Sequence, residues 1–557
     1  VRDIGRVLGM PYLEPDKIAR LIPFDMSISQ ALKTVPELAS FYRQPEFKKL
    51  LDLAQKVEGV ARHASTHAAG VVIADKDLTE YTPLQKETRG ERIITQYDMY
   101  DLDLNQAVVP GQAIGLLKMD FLGLRNLTIL ERAVEYIKQI NGQEIDLSEI
   151  LLDDKPALEM IASGETTGIF QLESAGMRRL ARKLKPNKFS DIAAMVALFR
   201  PGPMQWIDEF IAGKNNPSKV RYPHPDLKPI LAGTYGIAVY QEQCMQIANV
   251  MAKYTMAEAD RLRLAIGKKK KAIMTRERNR FIEKAQAAGY KKEIAENVFD
   301  LIERFAGYGF NKAHSTCYAM IAYQTAYLKA HWPVEFMAAL LTAEAVGSSG
   351  PAKEEKIALA VEECRRMGIK VLPPDVSQSK VGFTIEDDAN SLNGMAIRFG
   401  LSAIKNVGEA AIKVILDSRE VGGEFKSLMD FCQRVDQQKV NKRVLESLIK
   451  AGAMDKFGKR APMLSGLDKI RAKGVISQRQ QANGQESLFE NPTSLGEDSL
   501  PDMEEFTRQE LLSLEKDLLG FYLTEHPLTP ILSVLASQRS HRIYDLRQIE
   551  KRGQPVK

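Results

Sequence analysis

Asp120 closes the apolar run IGLLKMD (Ile114 to Asp120), two residues after Lys118. A carboxylate at a strand end is where metal-assisted phosphoryl transfer would take a ligand. Magnesium prefers hard oxygen donors and keeps several waters, so one or two carboxylates plus substrate phosphates suffice per ion. Two-metal catalysis shares several carboxylates between ions ~4 Å apart. One aspartate is therefore not a site, and taken alone Asp120 reads as a strand-end cap.

A second constellation is DRLRLAIGKKKKAIM. A capping box, Thr255 with Glu258 three residues on, opens its helix, and Gly267 is placed to close it. Arg261 and Arg263 lie two apart and point to different faces. Lys268 to Lys271 follow the helix C-terminus, where positive charge suits the dipole. Arg263 could fork onto a triphosphate; the alternative is helix capping with solvated lysines. The third constellation is AGYGFNKAHSTCYAM, Ala306 to Met320. Tyr308, Phe310, Asn311, Lys312 and His314 combine ring faces, a point charge and polar tips. Gly307 and Gly309 permit close backbone approach. The mix suits a nucleotide on a loop before a helix N-terminus, where phosphate is favoured; a structural loop is the other reading.

His63 and His67 have the i, i+4 spacing of a helical metal pair, but no glutamate lies between them and no third ligand is apparent. The sequence holds no Ser-His-Asp arrangement and no Walker loop. GLSAIKNVGEAAIKVILDSR has the layout of two helices joined by a short Gly-bearing turn. Val407 and Gly408, just after Lys405, would set backbone N–H groups at a helix start, ready for a DNA phosphate without reading sequence. NKRVLESLIKAGAMDKFG reads as its partner. QESLF (Gln485 to Phe489) is a short peptide anchor whose Leu488 and Phe489 could fill a partner's pocket.

These residues need elements to position them. Residues 1 to about 67 read as helices, with apolar spacing around Ile18, Leu21 and Ile22 and again from Leu50 to Val57. Short runs at Gly70 to Ala74, Arg92 to Tyr97 and Ile114 to Asp120 then read as strands of one small sheet. From about 125 to 375 the pattern is helical, with Leu130, Ala133, Val134 and Ile137 on one face. Proline-rich breaks interrupt it at Arg200 to Pro203 and Arg221 to Pro225. Residues 391 to 458 read as two helical pairs resembling a tandem duplication. Residues 459 to 505 read as a flexible connection, and roughly 506 to 520 as an amphipathic helix.

A length of 557 residues predicts about three or four domains at roughly 150 each. No apolar run approaches the ~20 residues that cross a bilayer, and there is no secretory leader. The four cysteines lie far apart with no C-x-x-C pair, so a zinc knuckle or disulfide framework is unsupported and a reducing cytoplasm is the simplest setting. The net charge of +5 does not itself indicate a nucleic-acid partner. Its distribution says more: residues 261 to 284 are strongly basic, one footprint of a phosphate-backbone binder or else a solvated helix face. The stretch from 495 to 517 is mostly acidic. The chain opens at Val1 on a helical pattern and stops after YDLRQIEKRGQPVK, which reads as a fragment of something longer.

GLLKMDFLGL, TTGIFQLES, LFRPGP, TYGIAVYQEQCMQIA, LAIGKKK and FAGYGFNKAHS follow one another in this order. Together they resemble the C-family DNA polymerases, the alpha subunits of bacterial DNA polymerase III, nearly end to end. The resemblance implies a multidomain, predominantly helical α+β chain. It implies a thumb over 1–67 and the second part of a palm of the polymerase-beta nucleotidyltransferase type, with a small mixed sheet, over 68–125. Fingers would span 126–390, and a tandem helix-hairpin-helix and clamp-binding domain 391–525. The start of a connection to an OB-fold region would occupy 526–557. It implies DNA-directed DNA synthesis with two magnesium ions (Mg2+) held by three aspartates, of which KMDFLG supplies the catalytic metal ligand Asp120. The family's Asp-x-Asp motif and its polymerase-and-histidinol-phosphatase domain have no match here. Lys118, Arg263, Tyr308, Asn311, Lys312 and His314 match nucleotide-contacting positions. Leu264 stands where the family has a second basic residue, and Lys268 or Arg261 is a candidate to compensate. Lys405, Val407 and Gly408 would contact DNA, and Gln485, Leu488 and Phe489 the beta sliding clamp. Implied partners are primer-template DNA, deoxynucleoside triphosphates, the clamp and other holoenzyme subunits, without a membrane.

Two rivals remain. One is a non-catalytic DNA- and clamp-binding paralogue in which the missing carboxylates are a true loss. The other is a metal-dependent nuclease, for which the sequence offers no separate carboxylate cluster.

Overall fold

The computed structural model describes residues 1–23, 26–60, 65–87, 90–102, 113–267, 271–306, 309–347, 351–389, 391, 394–482 and 500–531. It is mostly helical and divides into two compact units at Gly123/Leu124.

The first unit opens with five short helices: α1 (Arg2–Val7), α2 (Leu13–Arg20), α3 (Ile28–Thr34), α4 (Pro36–Tyr42) and α5 (Pro45–Lys56). Local chemistry starts them. Ser27 and Gln30 form a reciprocal capping box on α3, and proline occupies the first position of α4 and α5, where its missing N–H costs nothing. Ile18, Ile28, Ala31, Leu38, Leu50, Leu51 and Ala54 form their core. The helical reading to residue 67 fails beyond Lys56: Val57 to Gly59 turn, and Ser65 to Ala69 are not helical.

The strands β1 (Gly70–Ile73), β2 (Leu84–Lys86), β3 (Ile93–Thr95) and β4 (Leu117–Asp120) do not make the one small mixed sheet expected. The short helix α6 (Met99–Leu102) lies between β3 and β4. β1 pairs antiparallel with β4, and β2, which the sequence reading missed, pairs antiparallel with β3. The three apolar runs are too short to show pairing by themselves, and β2 is only three residues. Alternation along the β1–β4 ribbon puts Val71, Ile73, Leu117 and Met119 on one exposed face and Lys118 and Asp120 on the other.

The second unit has two cores. The first gathers α8 (Lys155–Ser163), α9 (Ala175–Leu184), α10 (Phe189–Leu198), α11 (Ile207–Asn215), α12 (Lys228–Leu231), α13 (Gln241–Ala252), α14 (Met256–Gly267), α15 (Lys271–Ala287) and α16 (Lys292–Ala306). The second gathers α7 (Arg125–Asn141), α18 (Pro333–Gly347), α19 (Pro351–Arg366) and the strands β5 (Lys370–Leu372), β6 (Thr384–Asp387) and β7 (Met395–Arg398). It also takes α20 (Glu409–Gly422), α21 (Leu428–Arg434), α22 (Lys442–Lys450), α23 (Arg460–Ala482) and α24 (Arg508–Leu519). The 20-residue α17 (Lys312–His331) joins them: Ala319, Ala322, Tyr323 and Ala326 lie in the first core and Leu328 in the second.

Leu130, Ala133 and Ile137 are buried on α7 as expected, with Val134 half-buried. The three-stranded sheet, ordered β5-β7-β6, was not anticipated. The first half of the expected loose connection from 459 is instead the 23-residue α23. Its buried Met463, Leu467 and Ile470 keep helical spacing, while its Gly, Ser and Gln residues mimic a linker in composition. The expected final helix is α24, opened by a capping box between Thr507 and Glu510. No described helix is long and apolar enough to cross a membrane.

Candidate functional site

In the first unit the candidate side chains stand at the end of the β1–β4 ribbon. Lys118 and Asp120 share a face because strand side chains alternate. Lys118 Nζ donates to Asp120 Oδ1 at 2.6 Å, with the lysine 14% and the carboxylate 54% exposed. The Lys118 hydrogen bond holds the Asp120 carboxyl below the usual carboxylate range. Asp120 is cross-strand to Gly70. Without a side chain at 70, the His67 ring folds in: its Nδ1 accepts the Gly70 N–H at 2.7 Å and the Ala69 N–H at 3.2 Å. That lone pair is therefore occupied, so the neutral ring carries its proton on Nε2. Nδ1 lies 3.9 Å from Asp120 Oδ1, and a Cβ at 70 would stand 2.9 Å from Nδ1 and 3.3 Å from that same oxygen. Sequence reasoning considered His67 only as one half of a metal pair. The signal it passed over was the His-x-x-Gly spacing entering a strand. His63 lies outside the described residues.

One exposed carboxylate is not a metal site. Among the described residues no group of three or more His, Cys, Asp or Glu could hold an ion. Asp120 fits as a single hard-oxygen donor and no more.

In the second unit, two helix starts converge. Tyr240, before α13, and Phe310, before α17, form an isolated parallel β-bridge. The Gln241 N–H donates to the Phe310 carbonyl at 2.9 Å, and the Phe310 N–H to the Val239 carbonyl at 3.1 Å. Asn311 caps α17, its Oδ1 accepting the His314 N–H at 2.8 Å. The Lys312 N–H donates to both Glu242 carboxylate oxygens, at 2.9 and 3.0 Å. Asn311, Lys312 and His314 are exposed. The rings form a run: the Arg200 guanidinium lies 4.2 Å from the Phe310 centroid, Phe310 lies 5.2 Å from His314, and His314 lies 4.2 Å from Tyr318. Phe170 follows, 5.2 Å from Tyr318. Lys312 Nζ stands 5.9 Å over the Tyr240 ring. Burial pushes the Tyr240 hydroxyl up to about 12, against an opposing hydrogen bond with Ser315.

The expected grouping of Asn311, Lys312 and His314 is thus found, with one difference. The Lys312 and His314 amides, which could have met a phosphate, are committed to Glu242 and Asn311. An anion here would meet the Lys312 ammonium and the exposed His314 ring instead. Glu242 and Arg200 were missed, because 70 residues separate Glu242 from Lys312 in sequence. Tyr308 and Gly307 lie outside the described residues.

Farther along α17, Lys329 is fully buried. Its Nζ donates to Glu363 at 2.5 Å and to the carbonyls of Thr167 and Glu165 at 2.8 and 3.1 Å. Arg366 also donates to Glu363, at 2.8 Å. Burial would raise the Glu363 carboxyl, but Arg366 and Lys329 together bring it to about 2.

The capping box on α14 is formed: the Thr255 N–H donates to Glu258 at 2.9 Å and the Glu258 N–H to Thr255 Oγ1 at 3.2 Å. Glu258 also receives Arg280 and Lys284 and is held at about 2, first by the Thr255 amide and then by Lys284. Arg278 pairs with Asp300 at 2.5 Å. Part of the basic stretch is therefore matched by internal acids. Arg263 lies on Asp260 at 2.8 Å, one helical turn back, while Arg261 is exposed. Lys268 and the Leu264 side chain lie outside the described residues.

The first predicted helix pair is asymmetric. Its leading arm is a single 3-10 turn, Leu401–Ala403, pinned because Gly400 packs on the Gly382 backbone and the Leu401 and Ser402 amides bond to Lys380 and Val381. Gly408 caps α20 with open space beside it. Val407 is buried, and Lys405 Nζ pairs with Glu354 at 3.0 Å. Gln485, Leu488 and Phe489 lie outside the described residues.

Comparison with known proteins places these features. The bacterial DNA polymerase III alpha NTPase domain matches residues 1–123, ending where the first unit ends. The alpha subunit finger domain matches 126–289 and the helix-hairpin-helix motif 368–463. The DNA polymerase III subunit alpha of Escherichia coli K12 is 43% identical over 551 residues, covering 96% of this chain and 46% of that protein. That of Thermus aquaticus is 44% identical over 538 residues, covering 95% and 42%. That of Haemophilus influenzae is 42% identical over 573 residues, covering 100% and 48%. The chain spans about half the length of these relatives. Three domain matches in order, with this identity along nearly the whole chain, show that it belongs to the bacterial DNA polymerase III alpha subunit family.

Proposed function

We propose that the chain serves template-directed DNA synthesis, as part of the catalytic alpha subunit of a replicative polymerase. The primer 3′-hydroxyl would attack the alpha-phosphate of a deoxynucleoside triphosphate and release pyrophosphate. The observation that carries this reading is the strand-end pair Lys118–Asp120 within KMDFLG. It sets an ionised, accessible carboxylate across from Gly70, which has no side chain to cover it.

In this reading the β1–β4 ribbon is part of a nucleotidyltransferase palm. Asp120 is one oxygen donor for magnesium, with the remaining donors supplied from outside the described residues. Lys118 keeps Asp120 ionised and can turn toward a nucleotide phosphate. Asn311, Lys312 and His314 take the nucleotide on the fingers, with Arg263, Lys268 and Tyr308 completing that role. The ribbon and the fingers turn belong to separate units, and each is read on its own chemistry. Lys405 and the open Gly408 surface meet the DNA backbone, whereas Val407, expected to join them, is buried with its amide given to the Ile404 carbonyl at 3.3 Å. The Gln485 to Phe489 segment anchors the sliding clamp. The domain spans are those expected from sequence: thumb 1–67, palm 68–125, fingers 126–390, hairpins and clamp anchor 391–525. By itself the chain would bind DNA and polymerise poorly, because it carries one carboxylate of the set.

That same single carboxylate also favours the non-catalytic paralogue, and one experiment separates the two. In a polymerase subunit containing this chain, Asp120→Ala abolishes primer extension while primer-template affinity stays at the parent level. Extension that survives the substitution refutes the metal role of Asp120.

A further inference from the structure

Glu242 lies in the TYGIAVYQEQCMQIA segment, several of whose side chains serve their own fold. Tyr240 and Cys244 are buried. Gln243 is buried too: it accepts the Tyr240 N–H at 2.9 Å and donates to Thr234 Oγ1 and the Ile230 carbonyl at 2.7 and 3.0 Å. Glu242 instead reaches another helix. It sits in the first turn of α13, where negative charge suits that helix's own positive end. Its two oxygens take the Lys312 N–H, the first amide of α17, which would otherwise be an orphan donor. One carboxylate thus serves two helix starts, and the Tyr240–Phe310 bridge fixes the distance between them.

We propose that Glu242 is a positioning residue for nucleotide binding. By holding the Lys312 amide it sets the first turn of α17, and with it the direction of the Lys312 ammonium and the His314 ring. Lys312 and His314 are the first and third residues of that turn, so fraying or rotating it displaces both together. The proposal rests on the reading of this turn as a nucleotide contact.

The test is steady-state primer extension with a polymerase subunit containing this chain, varying deoxynucleotide concentration. Displacements near 1 Å in a positioned site carry large kinetic costs, so Glu242→Ala raises the nucleotide KM about tenfold. Its thermal midpoint and primer-template affinity stay at the parent level. Glu242→Gln keeps an oxygen that accepts the Lys312 N–H, and restores KM to within about twofold of the parent. Glu242→Asp keeps the charge but withdraws the oxygen, and raises KM like Ala; it decides the matter if the Ala variant does not fold. An unchanged KM in the Ala or Asp variant, or a Gln variant as impaired as Ala, overturns the proposal. Lys312→Ala is the control. If Lys312→Ala raises KM and Glu242→Ala does not, only the positioning role fails. If neither moves KM, the nucleotide reading of the turn fails as well.

Discussion

Lys118–Asp120 and Lys329–Glu363 are both lysine–carboxylate pairs, with N···O distances of 2.6 and 2.5 Å. Contact length does not distinguish them; surroundings do. The Asp120 side chain is 54% exposed on a two-stranded ribbon, whereas Lys329 is fully buried and Glu363 is 7% exposed between α17 and α19. In water a pair is screened and exchanges easily with other ions. In the interior each charge has given up its hydration, and removing one leaves the other uncompensated. The ribbon pair therefore keeps a carboxylate ionised and available. The buried pair fastens a loop, since Lys329 also takes the Glu165 and Thr167 carbonyls.

The contrast breaks most visibly at Lys329. Lys329→Met strands Glu363 with Arg366 alone and releases the Glu165 and Thr167 carbonyls, and destabilises the second unit by about 3–5 kcal/mol. Urea unfolding measures this as a lowered midpoint, and the matching Lys118→Met substitution leaves the midpoint in place. A Lys329→Met protein as stable as its parent would erase the distinction.

Acid titration sharpens it at the next level. Glu363 is lowered from its ordinary 4.5 to about 2. A carboxyl lowered on folding adds stability that is complete above its unfolded pKa and is lost as pH falls through its folded pKa. Stability of the second unit should therefore decline between about pH 4.5 and 2, and Glu363→Gln should flatten that slope in urea midpoints measured across the range. An unaltered slope would show that Glu363 does not carry the effect.

The smallest expected change lies at Gly70. The atoms nearest a methyl group there are side-chain atoms, of the His67 ring and Asp120 Oδ1. Gly70→Ala should alter stability by less than about 1 kcal/mol and yet reduce primer extension several-fold, by turning the His67 ring and crowding Asp120. Extension at the parent rate would show that the room at Gly70 is not needed.

Much of this was legible in the sequence, and the residues say why. The capping box at Thr255/Glu258 needs only residues three apart. The strand-end place of Asp120 follows from a short apolar run, and the Asn311 turn from its glycines ahead of a helical pattern. The single sheet, the linker at 459 and the long first arm of the hairpin failed for a common reason. Each depended on which distant segment a short or compositionally neutral stretch would pack against. The β1–β4 ladder pairs residues on either side of another hairpin, and α23 is helical because Met463, Leu467 and Ile470 find a core.

Local patterns along the chain were enough for the family resemblance, the helix boundaries that carry their own caps, and the side chains able to do chemistry. Which charges stay available was settled by packing. It put Asp120 at an exposed ribbon end, gave Glu242 to an amide 70 residues away, and closed Glu363 on Lys329 in the interior. Periodicity and capping act over three or four residues, so they are written locally. Burial and ion pairing depend on which surfaces meet, and that is settled only when the chain packs.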